Sequence, residues 1–203
     1  MQNQKKLPQY KQILFEQLDN IPIPTNAEKE RIQKTKEWIL STDELYRIRK
    51  NPEYPKKHLC AYALILDPES QKFMILVHKS SGGLLLPSGG HVDTQETPYN
   101  TAQRELKEEL DISLPFHPRF VKTPIMLSVV DILDLTPGIV HVDFWYLFIG
   151  PAKQIDPTLG KDYNLEFDEY YWLTAEEILN IDIKKLAPDM HNVIKKLQRL
   201  EIL

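Results

Sequence analysis

The stretch GGHVDTQETPYNTAQRELKEELDI, residues Gly89 to Ile112, decides how the rest of the chain is read. Its second half is patterned as an amphipathic helix. Thr97-Pro98 opens it, because the amide hydrogen that proline lacks has no partner in a first helical turn. Tyr99, Ala102, Leu106 and Leu110 recur at spacings of three and four and form one apolar stripe. Off that stripe stand Glu105, Glu108 and Glu109, three carboxylates on one patch of helix surface. Like charges so placed repel by roughly a few tenths of a kcal/mol per pair. A helix that needed only solubility would interleave lysines there. Carboxylates converging from one face are instead what a hard cation such as Mg2+ takes as ligands.

The segment before the helix adds to this reading. Gly89-Gly90 gives a backbone that bends sharply and can bring its carbonyl or amide close to a ligand. Glu96 precedes the helix and Arg104 lies two turns into it, where a guanidinium can hold a carboxylate through paired hydrogen bonds. The pattern resembles the Nudix signature, G-x5-E-x7-R-E-U-x-E-E-x-G-U, with U a bulky aliphatic residue. Gly90, Glu96, Arg104, Glu105, Leu106, Glu108, Glu109 and Ile112 fall on its positions at the right spacing. Asp111 departs from it, standing where the family has the glycine that ends the helix. Aspartate tolerates left-handed geometry better than most residues, so the departure is mild. An isolated E-x-x-E-E patch is usually a solvated face. Eight matches at fixed spacing reverse that expectation.

The resemblance implies an α/β fold, a Nudix-like α/β/α sandwich with a mixed sheet. It also implies metal-dependent hydrolysis of a pyrophosphate bond in a nucleoside diphosphate linked to another moiety. Glu105, Glu108 and Glu109 would hold Mg2+, or Mn2+ in its place, with the Gly90 carbonyl as a further oxygen and a metal-bound water as nucleophile. Glu109 or Glu108 would take the proton from that water, while Glu96 and Arg104 form an orienting ion pair. Several Nudix enzymes use a glutamate outside the signature as base, and Glu166 and Glu169 lie where one could be; the plainer reading of both is an exposed loop acid. The alternative from another class is a Nudix-fold module that senses a nucleotide without cleaving it. Such modules tend to lose signature glutamates, which this chain keeps. Isomerase chemistry on an isoprenoid diphosphate would want an active-site cysteine, and Cys60 lies in an apolar strand.

Composition narrows the class further. The chain has 203 residues, enough for one sizeable domain and an extension, with 42% hydrophobic and 27% charged content, as in ordinary globular proteins. A net charge of −4 argues against bulk nucleic-acid binding, which wants a basic stripe, and leaves a small nucleotide-type substrate as the expected partner. One cysteine makes no internal disulfide and fits a reducing cytoplasm. No run reaches the length of a membrane span, and MQNQKKLPQY has no signal-peptide core.

Residues 1–55 read as an N-terminal helical extension and 56–203 as the Nudix domain. In the extension, Ile13, Leu14 and Leu18 share one side of a first helix. Thr25 with Glu28 is a capping box opening a second helix, whose buried face carries Ile32, Trp38 and Ile39. Asp43 to Arg49 is read as a further short helix. This apolar stripe must cover the chain's own catalytic domain or a second subunit, as in a homodimer. From Lys57 the pattern changes to strands: His58 to Asp67, Lys72 to His78, Ile125 to Leu133, Ile139 to Ile149 and Glu169 to Leu173, with turns at Asp67–Ser70 and Thr136–Gly138. A final amphipathic helix runs from Met190 to Leu200.

Two further sets of residues draw notice. His91 with Asp93 and His141 with Asp143 repeat an H-V-D triplet, but neither pair has a third ligand at short spacing. A structural or substrate-edge role is therefore expected over a metal one. Trp145, Tyr146, Tyr170, Tyr171 and Trp172 could stack on a nucleobase. Strand aromatics are mostly core, so one of the five is expected to touch substrate.

Overall fold

The computed structural model describes residues 7–50, 52–132 and 138–203. Two helices come first, α1 (Gln9–Asp19) and α2 (Asn26–Ser41). Thr25 and Glu28 close the expected capping box at the start of α2. A two-stranded ribbon follows, β1 (Arg49–Lys50) with β2 (Glu53–Tyr54).

The main sheet is built on β3 (Lys57–Asp67), whose residues are nearly all buried. It pairs in parallel with β8 (Val140–Ile149) from Lys57↔Val140 to Leu66↔Ile149. Its other pairings are split between two strands. The C-terminal end makes a hairpin with β4 (Lys72–His78), while Cys60–Ala63 pairs with β6 (Ser88–His91). Asp67 fixes the hairpin turn by accepting from Glu69 N–H at 3.1 Å and Ser70 Oγ–H at 2.6 Å. Strand β5 (Leu84–Leu86) and strand β9 (Phe167–Thr174) pair with β4, and β7 (Met126–Asp131) pairs with β8. The turn expected at Thr136–Gly138, and Leu133, lie in part or wholly outside the described residues.

Helix α3 (Pro98–Leu110) is the acidic helix, and it crosses over between β6 and β7. It buries Ala102, Leu106 and Leu110 against the sheet, with Tyr99 packed on the core. Asp111 ends it at φ 53° and ψ 31°, the left-handed geometry that the family glycine would supply. Single-turn α4 (Tyr163–Glu166), α5 (Ala175–Asn180) and α6 (Met190–Arg199) complete the layers around the mixed sheet.

The N-terminal helices pack on the same chain. Leu14, Leu18 and Ile39 are buried in one core with the sheet residues, and Ile32 and Trp38 pack against it. Arg31 Nη1 donates to the Leu127 carbonyl at 2.9 Å, and Lys196 Nζ donates to Glu28 Oε1 at 2.5 Å inside the core. Asp43 to Arg49 is not the expected helix. Leu45 and Tyr46 are adjacent and both buried, and the Leu45 carbonyl accepts from Leu59 N–H at 2.9 Å, so this segment lies extended against β3.

Candidate active site

Gly89-Gly90, expected as a turn, runs instead as strand, paired with Tyr62 and Ala61 in β6, and a cleft of about 380 Å³ opens between it, α3 and the segment that follows α2. Glu105 and Glu109 line it from the helix, and Gly89, Gly90 and Tyr62 from the sheet. A Cβ on Gly90 would meet Glu105 Oε1 at 2.1 Å, so only glycine lets the carboxylate lie against this backbone. Glu109 is 3% exposed and accepts from Ser88 Oγ–H at 2.5 Å and Gly89 N–H at 3.3 Å.

Arg104 does more than pair with Glu96. Its Nε and Nη2 donate to Glu96 at 3.2–3.3 Å, while Nη1 donates to Glu105 and to Glu108, both at 2.9 Å. Nη2 also donates to the His91 carbonyl at 3.1 Å. One guanidinium therefore sets three acids and ties the helix to β6. Thr101 Oγ1 donates to Glu96 at 2.7 Å, which fixes that carboxylate from a second side.

Among the described residues, Glu109 has no lysine or arginine within ion-pair distance. Burial is the main cause that raises its carboxyl well above the usual range, with the neighbouring Glu105 charge adding to it. Burial likewise pushes Glu105 up to about 7, against the Arg104 charge that pulls it down. Two desolvated carboxylates sharing a cleft are costly as a pair of anions. A divalent cation removes that cost, and the donor set of Glu105, Glu108, Glu109 and the Gly90 backbone is all oxygen. The residues fit Mg2+ or Mn2+.

Of the two further glutamates, Glu166 lines the cleft and Glu169 does not. Glu169 is exposed and accepts from the Tyr171 hydroxyl. His78 Nε2 lies 3.7 Å from Glu166 Oε2. His78 Nδ1 accepts from Ser81 N–H at 3.2 Å, which puts the ring proton on Nε2, facing the acid. The imidazole beside Glu166 holds its carboxyl below the ordinary range despite partial burial.

The aromatic expectation is overturned. Trp145 and Tyr146 are wholly buried, and none of the five aromatics lines the cleft. Trp145 Nε1 donates to Ser128 Oγ at 2.7 Å and the Tyr146 hydroxyl to Gln17, so both polar tips are used in the core. Tyr62, on β3, is the cleft aromatic, its ring centroid 4.6 Å from that of Trp145. The sequence also gave no sign that Arg47 and Lys50 from the N-terminal region would line the cleft, nor His78 from β4. Asp93 and His141 lie on its wall. Asp143 turns inward beside Ser128, and burial raises its carboxyl to about 7.

The NUDIX domain profile matches residues 56–197. The chain belongs to the NUDIX family, whose members are hydrolases acting on pyrophosphate bonds. Solved structures with the same fold include a NUDIX hydrolase from Clostridium perfringens, with a TM-score of 0.53 at 21% identity over 70% of this chain and 97% of that one. A MutT protein from Methanosarcina mazei Go1 gives 0.52 at 21% identity over 71% and 95%. An Ap4A hydrolase from C. elegans gives 0.52 at 17% identity over 70% and 97%. No curated protein matches the chain. Among the described residues no helix is long and apolar enough to cross a membrane.

Proposed function

We propose that the chain hydrolyses the pyrophosphate bond of a nucleoside diphosphate linked to another moiety. The observation that carries this reading is the convergence of half-buried Glu105 and buried Glu109 on the Gly89-Gly90 backbone of β6 in an open cleft. Glu105, Glu108, Glu109 and the Gly90 carbonyl would hold Mg2+ or Mn2+. When bound, the ion neutralises phosphate charge and makes water a stronger acid.

The chain's own groups supply the rest. Arg104 keeps Glu105 and Glu108 aimed through its hydrogen bonds, and Glu96 keeps Arg104 in place. Glu109 is held by Ser88 and Gly89 out of solvent, where a carboxylate readily accepts a proton. Glu166 is the auxiliary base on the facing side, kept ionised by His78. Arg47 and Lys50 reach the same cleft and provide cations for the substrate's phosphates, and Tyr62 provides a flat apolar surface. Residues 1–55 thus belong to the working catalytic unit although the family profile begins at 56. The free, buried thiol of Cys60 fits a reducing compartment, and the cytoplasm is the proposed location.

The test is hydrolysis of a panel of ADP-ribose, dinucleoside polyphosphates, nucleotide sugars, coenzyme A and nucleoside triphosphates. Phosphate-containing products should form with Mg2+ or Mn2+ and cease with chelator. Tight binding of one of them without turnover under any metal would instead favour a nucleotide sensor.

A further inference from the structure

A second group of side chains meets at the edge of the cleft, and the reaction proposed above makes no use of it. Strand pairing builds it. His58 on β3 stands opposite His141 on β8, and Cys60, two residues on, stands opposite His91 on β6. Residues two apart on a strand share a face, so three adjacent strands project these side chains to one place. The ring centroids of His58, His91 and His141 lie 4.9–5.1 Å from one another. One ligand atom from each of the three, and Cys60 Sγ, lie within 4.8 Å of one another.

The hydrogen bonding leaves this cluster unfinished. His58 is 0% exposed, and its Nδ1 is 2.8 Å from the Pro55 carbonyl, which must accept the ring proton there. Its Nε2 therefore presents a lone pair inward, and it has no partner. The buried Nε2 atoms of His91 and His141 have none either. Glu53 Oε1, from β2, is likewise without a hydrogen bond and lies 3.4 Å from both His58 Nε2 and His91 Nε2. Three buried imidazole nitrogens and a carboxylate oxygen beside two of them, all without a hydrogen-bond partner, are unfavourable unless something satisfies them.

We propose that His58, His91, His141 and Glu53 form a binding site for a first-row transition metal, Zn2+ by the chemistry of its donors. Imidazole nitrogens with one carboxylate suit Zn2+, whereas the all-oxygen set on α3 suits Mg2+. The Pro55 carbonyl on His58 Nδ1 is the outer partner that ligating histidines commonly have, fixing tautomer and ring orientation. His91 and His141 also line the cleft, so the metal would face it. The His91 carbonyl accepts from Arg104, which links this site to the guanidinium that orients the acidic helix. Glu53 lies upstream of the family profile, so the metal would also fasten the N-terminal segment to the sheet.

The full chain, stripped of metal and dialysed against Zn2+, should retain about one zinc per chain by elemental mass spectrometry. The E105Q/E109Q double variant should retain the same amount. H141Q and H91Q should each weaken zinc binding at least tenfold in a competition titration, with circular dichroism reporting that they fold. Replacing zinc by Co2+ should give the visible bands of a four-coordinate nitrogen and oxygen site, unchanged by C60S and altered by E53Q. Zinc that leaves with E105Q/E109Q and stays with H141Q and H91Q would overturn the site. So would a folded parent chain that binds no zinc above background. A sulfur-to-cobalt charge-transfer band abolished by C60S would overturn Glu53 as the fourth ligand.

Discussion

Gly90 Cα and Glu105 Oε1 are so close that a Cβ on Gly90 would stand 2.1 Å from the carboxylate oxygen. The neighbour that must yield is the end of a flexible side chain. Gly90→Ala should therefore leave the melting temperature within a few degrees while displacing Glu105. Misplacement of a catalytic group by about 1 Å costs on the order of 100-fold, so steady-state turnover should fall by one to two orders of magnitude. Parent-level turnover in a folded Gly90→Ala protein would remove Glu105 from the site.

Glu109→Gln separates charge from shape. The amide can still accept from Ser88 Oγ, and the charge that burial disfavours is gone. Because the folded carboxyl is raised, its stabilising contribution is full below the ordinary glutamate range and fades as pH rises through the folded value. Metal-free Glu109→Gln should thus match or exceed the parent in urea melts at pH 8. Turnover should drop by roughly 100-fold or more. A variant that is less stable and fully active would reverse the assignment.

The pH profile should report the Glu166–His78 pair. His78 holds the Glu166 carboxyl below its ordinary value. The charged acid is therefore present above that depressed value and is lost only as pH falls through it. His78→Phe removes the imidazole and should move the acid limb of the kcat/KM profile toward neutrality, with Glu169→Gln leaving it in place. An acid limb that His78→Phe does not move would take Glu166 out of the reaction.

Asp111 already has φ 53°, and its side chain pairs with Lys107 on the exposed surface. Asp111→Gly exchanges a tolerated left-handed residue for the family's own. Stability should change by less than about 1 kcal/mol and activity by no more than a fewfold. A loss comparable with that of Glu109→Gln would make Asp111 part of the metal site.

Cutting the chain to begin at Lys56 tests the extension. It removes Glu28, the buried ion-pair partner of Lys196, together with the α1 and α2 residues that cover the core. It also strips Arg47 and Lys50 from the cleft. The shortened protein should be poorly soluble and far less stable in chemical denaturation. If it is monomeric, fully stable and fully active, the extension is dispensable. If it is stable but turns a dimeric parent into a monomer, α1 and α2 belong to a subunit interface.

What could be read from sequence was whatever is local along the chain. The helix from Pro98 to Leu110, its cap and the spacing of its glutamates follow from neighbours a few residues apart. The hairpin at Asp67 is of the same kind. The cleft's other residues meet through pairings between distant strands. His141 and Asp143 carried no third ligand in sequence because His58 lies across a parallel pairing, which leaves no trace in spacing. Tyr62 reads as one more core residue of an apolar strand until its two neighbouring strands are placed. Arg47 and Lys50 lie in a segment whose helical pattern gave way to extended backbone pinned on β3.

The split pairing of β3 also bears on synthesis. Its N-terminal half is closed by β6 within a few dozen residues, but its long parallel neighbour β8 is translated only after α3 and β7. At roughly 5–20 residues per second, the growing chain spends several seconds with that apolar edge unpaired. During this interval α1 and α2 have already emerged, while the strand that α2 packs on, β7, comes only after α3. The cleft itself comes into being only at the end, when β8 delivers His141 and β9 follows with the Glu166 turn. A ribosome-bound chain stalled before Val140 would carry the entire acidic helix and yet have no finished cleft.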